Sequence, residues 1–210
     1  MKLIGMLDSP YVRRIAISLQ LLDLRFEHQS LSVFRTLAQF QEINPIVKAP
    51  TLVCDDGEVL MDSSLILEYA EALARPRSLM PSALLEFQHA LRIIGLALAA
   101  CEKSVQIVYE RLRPPDKLHE PWLARINEQL RSAYACVEKE LAEHPLSVTR
   151  SSINQAGIST AVAWQFTQQM LPGVAAQSDF PRLASFSARA EGLPEFIAAP
   201  HGDSTYHPRS

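Results

Sequence analysis

The hydrophobic pattern of this chain changes once, sharply, and that change limits its fold more than any other feature. Up to about residue 75, apolar residues fall into short strand-length runs that alternate with helix-like stretches. Beyond Arg75-Pro76-Arg77-Ser78-Leu79-Met80-Pro81 only long three- and four-residue periodicity remains. A chain of 210 residues can hold one large domain or two small ones, and the break favours two. The sequence predicts an α/β domain over residues 1–75, a linker at 76–81, an all-helical domain over 82–200 and a polar tail at 201–210.

In the first part, Lys2 to Met6 reads as a short strand. A helix over 10–22 follows, with Val12, Ile15, Ala16, Leu19 and Leu22 on its inner face. Arg25 to Leu31 forms a second strand, and a short helical or irregular stretch runs from Phe34 to Ile43. Two more β-prone runs, Thr51 to Cys54 and Glu58 to Met61, flank Asp55-Asp56-Gly57, which is a hairpin signal. Asp62-Ser63-Ser64 then opens a helix whose apolar residues are Leu65, Ile66, Tyr69, Ala70 and Leu73. The predicted order is β-α-β-α-β-β-α.

In the second part, Leu84, Phe87, Leu91, Ile94, Leu98, Cys101, Val105 and Val108 mark one long helix and its buried seam, stopped by Pro114-Pro115. A second long helix over 121–143 turns Trp122, Ile126, Leu130, Ala133, Val137 and Leu141 inward. A third is expected to start at an N-capping Ser152, with Gln155 reaching back as in a capping box, and to end at Pro172-Gly173. A last short helix begins near Phe180-Pro181-Arg182-Leu183 and closes at Gly192-Leu193-Pro194.

The formal net charge is only -3, with both signs interspersed, so the chain lacks the cationic field that neutralises nucleic-acid phosphates. No run approaches the roughly 18 uninterrupted apolar residues of a membrane span, and the short apolar opening ends at Asp8, too soon for a signal peptide. A cytoplasmic protein without nucleic-acid or membrane partners is expected. Cys54, Cys101 and Cys136 are far apart, without the paired spacing of zinc or dithiol sites. They read as small buried hydrophobes. The six histidines show no ligand spacing, and His201 and His207 fall in the polar tail. No metal site is expected.

Four features of the first domain occur in a telling order: Ser9-Pro10-Tyr11-Val12 after the first strand, Ala49-Pro50 before the third, Asp62-Ser63 before the third helix, and the strand order itself. Together they resemble the cytosolic, bacterial-type glutathione S-transferases. Ser152-Ile153-Asn154-Gln155 and Phe180-Pro181-Arg182-Leu183 extend the resemblance over nearly the whole chain. It implies a thioredoxin-like N-terminal domain with an all-α C-terminal domain, glutathione as co-substrate, and a homodimer contacting through the Asp62 to Leu73 region and the start of the long helix.

By itself, Ser9 followed by proline is also an ordinary helix N-cap. The resemblance implies more: Ser9 donates to the sulfur of glutathione at a helix N-terminus, where unpaired N–H groups and the helix dipole favour an anion. Serine and valine stand at Ser9 and Val12, where glutaredoxins carry cysteines, so dithiol and mixed-disulfide exchange are excluded. Met6 and Leu7 stand where tyrosine-type transferases carry their tyrosine. The resemblance further implies that Ala49, beside a cis Pro50, pairs its backbone with the cysteinyl part of glutathione, and that Asp62 and Ser63 hold the γ-glutamyl end. Lys48 and Arg35 are candidates for the glycyl carboxylate. The negative charge of Asp8 beside Ser9 opposes thiolate formation. A small hydrophobic electrophile is expected against Leu7, Tyr11 and Tyr109, to be conjugated or reduced by the glutathione thiolate. Two other functions fit the same fold: a non-catalytic regulator resembling the stringent starvation proteins, and a carrier of hydrophobic ligands.

Overall fold

Residues 1–206 are described by the structure, a computed structural model; the end of the expected polar tail, His207 included, lies outside them. Contacts divide the chain into two units, Met1–Leu79 together with the chain from Gly192 on, and Met80–Glu191.

The first unit has the expected element order: β1 (Lys2–Ile4), α1 (Pro10–Leu21), β2 (Glu27–Gln29), α2 (Leu37–Ile43), β3 (Thr51–Val53), β4 (Val59–Met61) and α3 (Ser63–Ala74). The sheet runs β2-β1-β3-β4. β1 lies parallel to β2 and antiparallel to β3, and β3 pairs antiparallel with β4. Leu3, Ile4 and Leu52 are fully buried in it. The predicted hairpin turn closes with the Cys54 N–H donating to the Glu58 carbonyl at 2.8 Å and Gly57 at a φ of 90°, a backbone setting that glycine adopts without a Cβ clash. This is a thioredoxin-like arrangement.

Two arginines of α1, Arg13 and Arg14, are buried although they flank an apolar helical face. A buried cation must be hydrogen-bonded. Arg13 Nε donates to the Ala199 carbonyl at 2.8 Å and Nη2 to the Phe196 carbonyl at 3.4 Å, with the guanidinium 5.6 Å from the centre of the Phe196 ring. Gln20 on the same helix donates to the Glu195 carbonyl at 3.0 Å. These bonds bring α8 (Pro194–Ala198) onto α1. Residues 192–200, expected in the helical domain, and 201–206, expected in a polar tail, belong to the first unit.

The second unit contains α4 (Leu84–Arg111), α5 (Glu120–Glu143), α6 (Gln155–Met170) and α7 (Pro181–Glu191). The expected inner residues of α5 are buried apart from the half-buried Trp122. The seam of α4 keeps the expected Ile94 and Cys101 but not the leucines at its start. Ala90, Ile93, Ile94, Ala97, Ala100, Cys101, Ser104 and Ile107 are buried, whereas Leu84, Phe87 and Leu91 face outward. Small residues let helices approach closely, which leaves the larger side chains on the open face. α4 is long and apolar enough to cross a membrane by length and composition, but its buried seam packs on α5 and α6 as a core helix.

α6 is N-capped by Asn154, whose Oδ1 accepts from the Gly157 N–H at 3.0 Å, and not by Ser152. Ser152 sits one half-turn earlier in a hydroxyl cluster with Ser147 and Thr149, and Gln155 donates to Ser159 within the helix at 3.3 Å. Asparagine is at least as good a cap as serine, and its extended backbone, φ -111° and ψ 179°, suits the position. Three helices of the unit are joined by a buried hydroxyl chain. Tyr134 donates to the Ala163 carbonyl at 2.9 Å and lies 2.6 Å from Thr167 Oγ1, which lies 2.7 Å from Ser104 Oγ. Burial raises the Tyr134 phenol well above its ordinary range, so it stays protonated. Cys54 and Cys101 are buried as expected, but Cys136 is exposed on α5.

Replacing Arg13 by leucine leaves two buried carbonyls without their donor. Urea denaturation of Arg13→Leu is expected to show a loss of about 2–4 kcal/mol, and limited proteolysis should release residues from 192 onward before the rest. Unchanged stability would contradict the anchoring role given to this side chain.

Candidate functional site

The candidate residues of the first unit gather around the N-terminus of α1. β1 is followed by Gly5, whose φ is 130°, and a Cβ there would stand 2.7 Å from Val12 Cγ2 and 3.2 Å from Ala49 Cβ. The start of α1 and the Ala49-Pro50 segment thus approach each other across a glycine that has no room for a side chain.

Ser9 is the N-cap of α1, with Pro10 as its first residue. Its backbone is extended, φ -71° and ψ 123°, and its Oγ accepts a long bond from the Val12 N–H at 3.4 Å. A hydroxyl that accepts still has its own O–H to give. The helix dipole places a partial positive charge at the same end.

The Ala49–Pro50 peptide is cis. Its surroundings are held by side chains that sequence reasoning did not single out. Asn44 Nδ2 donates to Thr51 Oγ1 at 2.8 Å, and that hydroxyl donates to the Lys48 carbonyl at 2.7 Å. Asn44 Oδ1 also accepts from the Ile46 N–H at 3.0 Å. One buried asparagine therefore pins both ends of the loop from 44 to 51.

Asp62 is the N-cap of α3. Its φ is 72°, and Oδ1 accepts from the Ser64 N–H at 2.9 Å. Lys48 Nζ lies 3.6 Å from Asp62 Oδ2, so two residues assigned to opposite ends of a tripeptide form a half-exposed ion pair. Ser63 is buried, and its hydroxyl accepts from Arg14 Nη1 at 3.2 Å. Arg14 was missed in the sequence because arginine on an amphipathic helix normally reads as solvated. The available signal was the place of the Arg13-Arg14 pair between Val12 and Ile15.

Asp8 is half-buried, and its carboxyl is raised above the ordinary carboxylate range. Burial is the main cause and the charge of Asp203 adds to it, against the backbone N–H of Ser9 and the Arg35 guanidinium. Arg35 forms an ion pair with Asp203 at 2.7 Å. Of the residues expected to meet a second substrate, Leu7 is fully buried, which removes it from any open pocket wall. Tyr11 is half-buried on α1, and Tyr109 is half-exposed on α4 of the other unit. Among the described residues, no group of three His, Cys, Asp or Glu side chains is placed to hold a metal ion.

Comparison with known proteins puts this geometry in a family context. Residues 3–78 match the family model described as glutathione S-transferase, N-terminal domain. A glutathione transferase family member from Pseudomonas fluorescens Pf-5, solved with bound S-(propanoic acid)-glutathione, is 30% identical over 94% of this chain and 95% of its own, with a TM-score of 0.79. A glutathione S-transferase from Methylobacterium radiotolerans JCM 2831, in complex with glutathione sulfonate, is 25% identical over 100% of this chain and 98% of its own, with a TM-score of 0.88. An uncharacterized GST-like protein, YibF of Escherichia coli K12, shares 28% identity over 82% of this chain and 86% of its own length.

The raised Asp8 carboxyl has a definite consequence for stability. A carboxyl whose folded pKa lies above its unfolded one favours folding below the unfolded value, and that contribution is lost as pH rises through the folded value. Asp8→Asn is therefore expected to be slightly more stable than the parent at neutral pH, by less than about 1 kcal/mol given its partial exposure. Thermal melts should show the difference vanishing once the pH falls below the ordinary aspartate range.

Proposed function

Because the chain belongs to the glutathione transferase family, we propose that it binds reduced glutathione as co-substrate, holds it as the thiolate and delivers it to a small hydrophobic electrophile. The observation that carries this reading is the Ser9 hydroxyl at the N-terminus of α1. An unperturbed thiol ionises near pH 8.5, and a helix N-terminus with a hydroxyl donor lowers that value. The glutathione thiol loses its proton to solvent, Ser9 O–H donates to the resulting sulfur anion, and the thiolate attacks. A sulfur–carbon bond forms while the leaving group departs with its electron pair.

In this reading the Ala49 backbone aligns the cysteinyl part of glutathione beside cis Pro50, as an added strand would. Asp62 attracts the γ-glutamyl ammonium, and Ser63 with the backbone at the start of α3 receives its carboxylate. Arg14, already bonded to Ser63, fixes the orientation of that hydroxyl. Lys48 pairs with Asp62 and Arg35 with Asp203; Arg35, 3.5 Å from Met6 in the segment that leads to Ser9, is the cation assigned to the glycyl carboxylate. Tyr11 is assigned to the electrophile. The chemistry needs reduced glutathione, which the cytosol maintains, so the cytoplasm is the proposed location.

A homodimer is part of the same proposal. Leu84 and Leu85 at the start of α4 are each 79% exposed, Leu91 follows on the same helix, and Leu65 and Leu73 are exposed on α3. Apolar side chains left open in such number mark an interaction surface, and a twofold pair is the common solution. Sedimentation equilibrium is expected to give twice the chain mass, and Leu84→Glu with Leu85→Glu should shift it toward one.

The central test is an ultraviolet difference titration of the protein with reduced glutathione across neutral pH. Thiolate absorbance well below the pKa of the free thiol supports the transferase reading; binding without thiolate indicates a carrier, and no binding favours a regulator. Ser9→Ala should raise the pKa of the bound thiol and lower kcat/KM by about ten- to a hundredfold, the worth of one hydrogen bond to an anion. An unchanged bound-thiol pKa removes Ser9 from the mechanism.

A further inference from the structure

The end of the described chain runs back along β2 and is fastened there at four points. The Tyr206 ring stacks on Phe26 with centroids 4.5 Å apart and planes at 15°. The Tyr206 N–H donates to His28 Nδ1 at 2.9 Å. Since Nδ1 accepts, the proton of the neutral ring is on Nε2, which donates to the Gly5 carbonyl at 2.7 Å. Burial lowers the His28 pKa, in keeping with that neutral form. Ser30 Oγ donates to the Asp203 carbonyl at 3.1 Å, and the Asp203 carboxylate takes the Arg35 guanidinium at 2.7 Å.

The last of these contacts lies beside the candidate site. The same Arg35 nitrogen is 3.5 Å from Met6 Sδ, in the segment that leads from β1 to Ser9, and both Arg35 and Asp203 act on the charge of Asp8. A carboxylate belonging to the protein thus occupies the cation that the glutathione reading reserves for a ligand carboxylate. The two contacts of Tyr206 and the one through Ser30 do not involve Arg35, so Asp203 can release the guanidinium while the strap stays attached.

We propose that residues 203–206 form an intramolecular strap whose Asp203 carboxylate competes with the glycyl carboxylate of glutathione for Arg35, and so sets how tightly the site takes its ligand. This rests on the glutathione reading above. Both partners are 65% exposed, and an exposed ion pair is easily exchanged. The strap therefore tunes affinity and does not close the site.

The experiment is calorimetric titration of four proteins with reduced glutathione: the parent, Asp203→Asn, a chain ending at Gly202, and Asp203→Asn combined with Arg35→Gln. A second titrant is the glutathione analogue whose glycyl carboxylate is an amide. Asp203→Asn and the shortened chain are expected to bind glutathione about two- to fivefold more tightly than the parent. That gain should be absent for the amide and lost in the double variant. If the shortened chain does not fold, Asp203→Asn alone decides. Equal affinity of parent and Asp203→Asn overturns the strap while leaving glutathione binding intact. An equal gain for the amide also overturns it, because the effect is then one of general charge. Failure of every protein to bind glutathione overturns the site reading and the strap with it.

Discussion

A guanidinium inside a protein needs acceptors on every side that water has left, and two such groups on α1 organise the first unit. Arg13 finds its acceptors in the carbonyls of Phe196 and Ala199, and Arg14 finds one in the hydroxyl of Ser63. The first demand brings the end of the chain back onto α1, and the second ties the start of α3 to the same helix. With α1 held from both sides, its N-terminus is fixed against the end of β1 and the Ala49-Pro50 segment. The site owes its geometry to these buried charges as much as to the sheet.

The arrangement separates support from chemistry. Asn44, Thr51, Arg14 and the side-chain-free Gly5 shape the frame, and Ser9, Asp62 and the Ala49 backbone are the groups assigned to the ligand in the proposed function. The electrostatics pull in two directions. The helix start and Arg35 favour an anion, while Asp8 and Asp203 oppose one. A raised Asp8 carboxyl is the visible sign of that opposition, and it makes the local charge a setting that small changes in the surrounding carboxylates can move.

The frame of the first unit was legible because its signals are local: short β-prone runs, an Asp-Gly turn, and prolines and hydroxyls at helix starts. Ser9 and Asp62 as helix starts were legible for the same reason. What was not legible depends on distant partners. Arg13 and Arg14 carried no signal of their acceptors, which lie 49 to 186 positions away. The start of the α4 seam was misplaced because leucines dominate any count of hydrophobicity, whereas close helix contact selects alanine. Asn154 rather than Ser152 caps α6 because both residues are competent caps and only the path of the backbone chooses between them. Leu7 looked like a pocket wall from its position beside Ser9, but its burial is decided in three dimensions.

The return of residues 192–206 to the first unit also bears on how the protein is made. A ribosome releases the residues of the sheet and α1 well before the carbonyls of Phe196 and Ala199 that accept from Arg13. Until then an otherwise assembled thioredoxin-like unit carries a cation without its final acceptors, and the helical unit between must be synthesised in the meantime. The segment that resembles an independent N-terminal domain, residues 3–78, is in this chain an incomplete one.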